Sequence, residues 1–132
     1  MDTIKIQIPG KPQYLTMVRL MTGSVAATAG FDIDAVEDIK TSMAEACKLV
    51  SCHGEEGFSD RYQITCELGE EEMGLTVVDD CGAHSLEKTA KPCLHCPAEG
   101  EIGKVVIESL MDEVQFGRNE DGQKFVKMVK RL

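Results

Sequence analysis

The sequence has few basic residues, no tryptophan and no long apolar run. Lysine and arginine number 14 against 23 aspartates and glutamates, and the net charge is −9. Nucleic acid and anionic membrane surfaces repel such a chain, so we expect neither as a partner. No apolar run approaches the roughly 20 residues that a membrane span needs. The first ten residues also lack the basic and apolar regions of a secretory signal, so we expect a cytoplasmic protein.

Six cysteines leave two interpretations open. In a reducing compartment they are not expected to form a disulfide framework. Cys93 and Cys96 have the spacing of half a zinc site, and Cys52 with His53 is a possible second pair. A metal or redox site and incidental core cysteines are therefore both compatible with the sequence.

The apolar pattern predicts the element order β-α-α-β-β-loop-α-β-β in a single domain of residues 1–132. Gly30 is the expected C-cap of the first helix, and Asp34 with Glu37 resembles a capping box at the start of the second. An Asp121-Gly122 turn predicts a final hairpin. This order favours an α+β two-layer sandwich, with helices on one face of a mostly antiparallel sheet. The predicted strands lie within 3–10, 60–68, 75–82 and 114–132, and the helices within 12–29, 34–50 and 100–114.

Two glycine-containing motifs favour ligand binding. Asp80 and Gly82 follow a predicted strand, where a carboxylate can accept a ligand N–H group and glycine permits close approach. Gly100 and Gly103 open the third predicted helix, and free N–H groups at a helix start attract anions. An ordinary turn and an ordinary glycine-rich helix entry remain the alternatives.

One side of the second predicted helix is polar but contains a leucine. Asp38, Ser42 and Glu45 lie there together with Leu49, beside the apolar stripe of the same helix. A single glutamate on a helix is usually only solvated. The functional alternative depends on the neighbouring motifs.

In their order along the chain, three segments resemble those of the anti-sigma-factor serine/threonine kinases of the GHKL (histidine-kinase-like) ATPase superfamily. The resemblance covers nearly the whole chain and implies the Bergerat fold, ATP and Mg²⁺ as cofactors, and a homodimer formed through the first strand and helix. It implies a sigma factor or an anti-anti-sigma factor as the protein partner. The segments are DAVEDIKTSMAEAC, VVDDCG and GEIGKVVIESLMDEV, and the opening IPGKPQYLTMVRLMTGSVA is similar to the family's first strand and helix.

The resemblance also implies roles for individual residues. Glu45 would be the general base that activates a seryl hydroxyl of the partner. Asp80 would hold the adenine with Gly82 beside it, and residues 83–99 would form a lid that contains Lys91 as a candidate phosphate contact. The remaining positions, at the start of the third helix, would bind the nucleotide: Gly100, Ile102 and Gly103.

Leu49 departs from the family pattern, in which an asparagine ligates Mg²⁺ four residues after the base. A leucine side chain offers no oxygen, so the resemblance predicts a nucleotide- and partner-binding regulator with weak or lost kinase activity. Two alternatives remain. The first is an active kinase, in which water, Asp38 or Ser42 compensates at the metal. The second is a zinc or iron–sulfur site built at the former pocket from cysteine and histidine, using Cys47 or Cys52, His53, Cys81, Cys93 and Cys96.

Overall fold

The computed structural model describes residues 1–50, 61–79 and 96–132, apart from the side chains of Pro12 and of residues 96–101. Eight helices and strands and one short 3-10 turn follow one another in these ranges. The strands are β1 (Asp2–Pro9), β2 (Arg61–Leu68), β3 (Glu72–Asp79), β4 (Glu113–Arg118) and β5 (Lys124–Arg131), and the helices are α1 (Leu15–Thr28), preceded by the 3-10 turn Pro12–Tyr14, α2 (Ile33–Val50) and α3 (Cys96–Leu110).

The five strands form one sheet in the order β1-β2-β3-β5-β4, and every neighbouring pair is antiparallel. Alternate residues of the inner strands are buried, as expected for a sheet with one covered face. The apolar stripe predicted on α2 packs with them in a single core. The α+β sandwich is therefore confirmed, with its centre formed by Ile39, Met43, Ala46, Val50, Tyr62, Ile64, Leu75, Val77, Val126 and Met128.

The edge strand β1 is only partly buried. Ile8 is 5% exposed and belongs to the core, whereas Ile4 is 36% exposed. The predicted inward face of β1 is thus buried at the end of the strand next to α1, and it is exposed to solvent at the beginning of the strand.

Two helix ends show which residues act as caps. Gly30 has φ 98°, and its N–H donates to Ala27 O at 3.1 Å while Phe31 N–H donates to Ala26 O at 3.3 Å. This is a Schellman motif, so the predicted C-cap is confirmed. The predicted start of α2 at Asp34 is wrong. The helix begins at Ile33, and the carboxylate of Asp32 caps it by accepting from Ala35 N–H at 2.8 Å.

The predicted bounds of the third helix, 100–114, are also wrong. Helix α3 begins at Cys96 and ends at Leu110, and β4 begins at Glu113. Asp112 accounts for the early end: its N–H donates to Val129 O at 2.9 Å and its carboxylate accepts from Arg131 N–H at 2.6 Å. These two hydrogen bonds pair the chain with β5 at Asp112, so the helix cannot continue beyond this point. Residues 96–99 of the predicted lid are helical, and residues 83–95 lie outside the described ranges.

The predicted final hairpin is confirmed. Gly122 has φ 78° in the turn between β4 and β5, and the Asn119 side chain accepts from the N–H groups of Asp121 and Gln123, each at 3.0 Å. No helix within the described residues is both long and apolar enough to span a membrane.

Candidate functional site

Helices α2 and α3 pack against each other and run in opposite directions. Lys130 of β5 marks one end of the pair, because its Nζ donates to Leu110 O of α3 at 2.6 Å and lies 3.8 Å from Asp38 Oδ2 of α2. The last turn of α3 therefore lies beside the N-terminal half of α2. It follows that the first half of α3 lies beside the C-terminal half of α2, where Glu45 and Leu49 are.

Strand β3 runs toward this second end. Met73, near its start, pairs with Lys130, so Asp79 lies at the opposite end of the strand. Three segments thus share one end of the molecule: the C-terminal half of α2, the N-terminal half of α3 and the end of β3. We call this region the α2–α3–β3 end. It brings together elements that are well separated in the sequence.

Gly103 of α3 is buried against Glu45 and Leu49. A β-carbon built on Gly103 would lie 3.3 Å from Glu45 Oε2 and 3.3 Å from Leu49 Cδ2, closer than side chains normally allow. Because position 103 has no side chain, Glu45 and Leu49 pack directly against α3 at this point. The sequence motif identified this glycine, and the structure gives it a packing role.

Glu45 keeps a carboxylate at the junction of the two helices. Its side chain is 26% exposed, and Oε1 lies 3.5 Å from Lys48 Nζ on the neighbouring turn. The contact with Lys48 is at the limit of a hydrogen bond. The role of Glu45 as a general base stays a prediction.

Leu49 lies beside Glu45, and its side chain packs partly on the core. The two residues suggested as substitutes for a metal-ligating asparagine do not lie within reach. Asp38 is about 10 Å from Glu45 along the helix axis and faces Lys130. The Ser42 hydroxyl is fully buried, without a hydrogen-bond partner among the described residues. Among the described side chains around position 49, Glu45 offers carboxylate oxygens of the kind that Mg²⁺ binds, and Leu49 offers none.

The start of α3 at Cys96 changes the donors expected for an anion. Gly103 lies seven residues into the helix, so its N–H is used in helical pairing. The free N–H groups belong instead to the first turn, and Pro97, which has no N–H, lies there. Ile102 is 65% exposed. The role predicted for Gly103 as a backbone donor to the phosphates stays a prediction.

Asp79 is a candidate that the motif analysis missed. It is only 9% exposed and continues the buried alternation of Leu75 and Val77, so its side chain lies on the helix-covered face of the sheet. Leu75, Val77 and Asp79 alternate in the sequence itself, and this period was the signal available for it. The Asp-x-Gly spacing drew attention to the next residue instead.

Lys124 of β5 lies close to Asp79 on the same face. Val78 pairs with Phe125 in the ladder, and Arg118 pairs with Lys124. Burial lowers the pKa of Lys124, as does the positive charge of Arg118, and Asp79 opposes both. A carboxylate and two cations therefore meet at this end of the sheet.

Most of the remaining site residues predicted from the sequence lie outside the described residues: Asp80, Gly82, Lys91, Cys52, His53, Cys81 and Cys93. Cys96 and Gly100 are described as backbone of α3 only. Cys47 lies on α2, one of the elements expected to border the pocket, but its side chain faces the core. Residues two apart on a helix point about 200° apart, so Cys47 faces away from Glu45. Its thiol is fully buried, and burial raises its pKa to about 12.

Metal-binding groups are absent from the part of the chain that the structure describes. No cluster of three or more His, Cys, Asp or Glu side chains occurs there in a suitable arrangement. A zinc or iron–sulfur site therefore receives no support from the described residues.

Comparison with known proteins gives one consistent result. Residues 8–130 match the family described as "Histidine kinase-like ATPase domain". The chain is similar to proteins named "Serine-protein kinase RsbW". The protein from Bacillus pumilus is 28% identical over 129 residues, covering 89% of this chain and 80% of the relative. That from Bacillus cereus is 28% identical over 128 residues, covering 90% and 79%. That from Bacillus licheniformis is 28% identical over 127 residues, covering 86% and 76%.

Proposed function

The chain belongs to the histidine kinase-like ATPase domain family, and from this premise we propose that it is a regulatory protein of the anti-sigma kinase type. It binds ATP at the α2–α3–β3 end and controls a protein partner through binding. Its own serine/threonine kinase activity is weak or lost.

Leu49 is the observation that carries this proposal. It stands one turn after Glu45, on the same side of α2, with Gly103 packed against both. Phosphoryl transfer depends mainly on positioning and on neutralising the charge of the phosphates. A hydrocarbon side chain at this point contributes neither, and neither Asp38 nor Ser42 is placed to replace it. We therefore assign no catalytic step to Mg²⁺ in this protein.

The proposed nucleotide contacts follow the order of the elements. A carboxylate at the end of β3, Asp80 with Gly82 or the neighbouring Asp79, holds the base. The phosphates lie at the N-terminal end of α3, with Gly100, Ile102 and Gly103 on the helix that closes the site. Residues 83–99, which include Lys91, form a lid in the proposed single domain 1–132. The positive end of the α3 dipole supports this placement of the phosphates.

The protein partner we propose is a sigma factor or an anti-anti-sigma factor, as the resemblance to the anti-sigma-factor kinases implies. Similar proteins are named "Serine-protein kinase RsbW", which supports a protein as the target. Regulation by binding does not require phosphoryl transfer. The retained carboxylate of Glu45, 26% exposed, favours a second candidate function. In that alternative the protein is an active ATP-dependent kinase, and water supplies the oxygen ligands missing at position 49.

A homodimer is also part of the proposal. Strand β1 is an edge of the sheet, and exposed apolar side chains lie on α1 and at the start of α2. Met17 and Leu20 are 46% and 64% exposed, and Ile33 is 81% exposed. Such side chains favour contact with a second copy. Sedimentation equilibrium tests this, and a Leu20→Glu variant is expected to shift the protein toward monomer.

Calorimetric titration tests the proposed nucleotide binding. We expect ATP to bind, and we expect Mg²⁺ to change its dissociation constant by less than about threefold, under 1 kcal/mol. Incubation with labelled ATP and a seryl-containing partner is expected to leave the partner almost unlabelled. No ATP binding with or without Mg²⁺ would contradict the proposal. Strong Mg²⁺ dependence together with partner phosphorylation would establish the active kinase instead.

A further inference from the structure

The face of the sheet opposite the helices carries a groove at the β2–β3 turn. Its volume is about 590 Å³. Its walls come from the start of β1, the turn between β2 and β3, and the end of β5. The side chains on its floor alternate with the core residues Cys66, Leu75 and Met128, so they point away from the helices. The lining includes Glu67, Glu70, Glu71, Glu72, Gly74 and Val129.

Gly74 opens the floor of this groove. It lies inside β3, between Glu67 on β2 and Val129 on β5. A β-carbon there would meet only Glu67 Cβ, at 3.8 Å, so the fold does not require glycine at this position. Glycine within a strand weakens the strand and often marks a place where another molecule approaches closely. Its presence therefore fits a surface that another chain covers.

The charges around the groove are unequal. Arg131 is already neutralised, because it forms ion pairs with Glu72 and with Glu113. Glu67, Glu70 and Glu71 are exposed, and their carboxylates form no ion pair with any side chain of the described residues. Lys127 and Met1, which carries the N-terminal ammonium group, are the remaining cationic residues of the lining. The groove thus presents three uncompensated carboxylates against these two cations, so its excess charge is negative and complements positive charge.

The turn that carries these carboxylates is held in place. Gly69 N–H donates to Glu72 O at 2.9 Å, and Leu132 N–H donates to Glu71 O at 2.9 Å. A fixed backbone reduces the entropy that binding must offset. These backbone bonds therefore keep Glu70 and Glu71 at the rim in a binding-ready position.

We propose that this groove is a docking surface for a basic segment of a partner protein. Strand addition is not available on this face, because β2, β3 and β5 are each paired on both sides. Recognition therefore depends on side chains. Lysine and arginine fit both parts of the groove, since their methylene stems cover Gly74 and Val129 while their charged ends reach the glutamates. A metal ion is a poorer match, because the described residues contain no metal-binding cluster.

The groove does not rest on the nucleotide-site proposal. It lies on the opposite face of the sheet from α2 and α3, so a bound segment leaves the α2–α3–β3 end open. Partner docking and ATP binding are therefore expected to be independent. Failure of one proposal leaves the other intact.

A labelled lysine-rich peptide is the probe, with its glutamate-for-lysine counterpart as the negative probe. Fluorescence anisotropy measures affinity, and amide chemical-shift mapping locates binding. We expect chemical-shift changes in residues 67–76 and 127–132. The affinity for the peptide is expected to fall as the salt concentration rises, because salt screens surface ion pairs. Saturating ATP is expected to leave the affinity unchanged. Shifts spread over the whole acidic surface would overturn the proposal.

Three variants distinguish binding of the peptide in the groove from its general electrostatic attraction to an acidic protein. Glu67→Gln with Glu71→Gln is expected to weaken peptide binding about tenfold. Glu108→Gln with Glu120→Gln removes the same charge from exposed sites outside the groove and is expected to change affinity less than about twofold. Gly74→Val alters no charge but fills the floor, and is expected to weaken binding about fivefold. Equal losses in both glutamine pairs, or full affinity in Gly74→Val, would refute the docking surface.

Discussion

Gly103 of α3 lies directly against Leu49 of α2: a β-carbon at position 103 would be 3.3 Å from Leu49 Cδ2 and 3.4 Å from Leu49 Cγ. The same β-carbon would be 3.3 Å from Glu45 Oε2. The proposed base, the substituted metal-ligand position and the glycine of the third helix thus form one contact. Because the three residues are in contact, a larger side chain at one of these positions takes space from the other two.

Gly103→Ala tests this contact. Alanine favours a helix by about 1 kcal/mol over glycine, but the added methyl displaces flexible side-chain atoms of Glu45 and Leu49 by a few tenths of an ångström. We expect little net change in the free energy of unfolding and about a fivefold loss of ATP affinity, measured by calorimetry. The double variant with Leu49→Ala removes the crowding and is expected to recover most of the affinity. Additive losses in the double variant would show that the two positions are independent.

Leu49→Asn tests the missing oxygen. The amide is close in size to leucine and places a carbonyl oxygen one turn after Glu45. In the presence of Mg²⁺, we expect this variant to bind ATP about tenfold more tightly than the wild type does. We also expect phosphorylation of the partner to rise. Leu49 packs partly on the core, so a cost of about 1–2 kcal/mol in the free energy of unfolding is expected as well.

Leu49→Ala is the matched control for that variant. It removes the hydrocarbon without supplying oxygen, so it is expected to leave Mg²⁺ dependence as in the wild type. An equal gain in Leu49→Ala would assign the effect to relieved crowding against Gly103. Unchanged Mg²⁺ dependence in Leu49→Asn would mean that position 49 does not control the metal.

The two aspartates at the end of β3 give a third prediction. The Asp-x-Gly spacing favours Asp80 as the base-binding carboxylate, and the alternation of β3 favours Asp79, which is buried on the helix-covered face. A buried carboxylate is the better acceptor for a base amino group, because water competes less. We expect Asp79→Asn to lower ATP affinity about tenfold and Asp80→Asn to lower it less than about threefold, in calorimetry. The reverse order would support the sequence motif over the strand register.

The arrangement of helices and strands was predictable because the spacing of apolar residues along the sequence reflects which side of each element is buried. The stripe of Ile39, Met43, Ala46 and Val50 repeats at helical spacing, and all four are buried. The final hairpin was also predictable, since Gly122 provides the positive φ that its turn requires. These signals are local, and they do not specify the strand order β1-β2-β3-β5-β4, which depends on pairing between segments far apart in the sequence.

The element ends were not predictable in the same way. Asp32 and Asp34 are both good caps, and only the backbone at Ile33 decides that Asp32 is used. Met111 and Val114 continue a helical pattern, yet the bonds from Asp112 to β5 end the helix. Such choices depend on partners far away in the sequence. The same reason explains why the packing of Gly103 on Glu45 and Leu49 required coordinates.

Cys47 gives a prediction for alkaline pH. Burial raises the pKa of its thiol from 9.0 to about 12 and that of Cys66 from 9.0 to about 11. In the unfolded chain both thiols ionise near 9.0, so above that pH the unfolded state binds fewer protons than the folded state. The stabilising contribution is complete below pH 9 and is lost as pH rises, by about 1.4 kcal/mol per pH unit for each thiol. Urea unfolding of the wild type is expected to become easier above pH 9.

Cys47→Ala isolates the share of that single thiol. This variant is expected to lose stability more slowly than the wild type above pH 9, and the gap between the two curves should narrow steadily toward pH 12. Cys66→Ala is the matched control. The difference in free energy of unfolding between the wild type and this variant should stop narrowing near pH 11, where the folded Cys66 thiol ionises. If Cys47→Ala followed the wild-type slope, the Cys47 thiol would have to ionise near its ordinary pKa in the folded protein. That result would place it in contact with solvent or a cation, and the assignment of Cys47 to the closed core between α2 and the sheet would have to be abandoned.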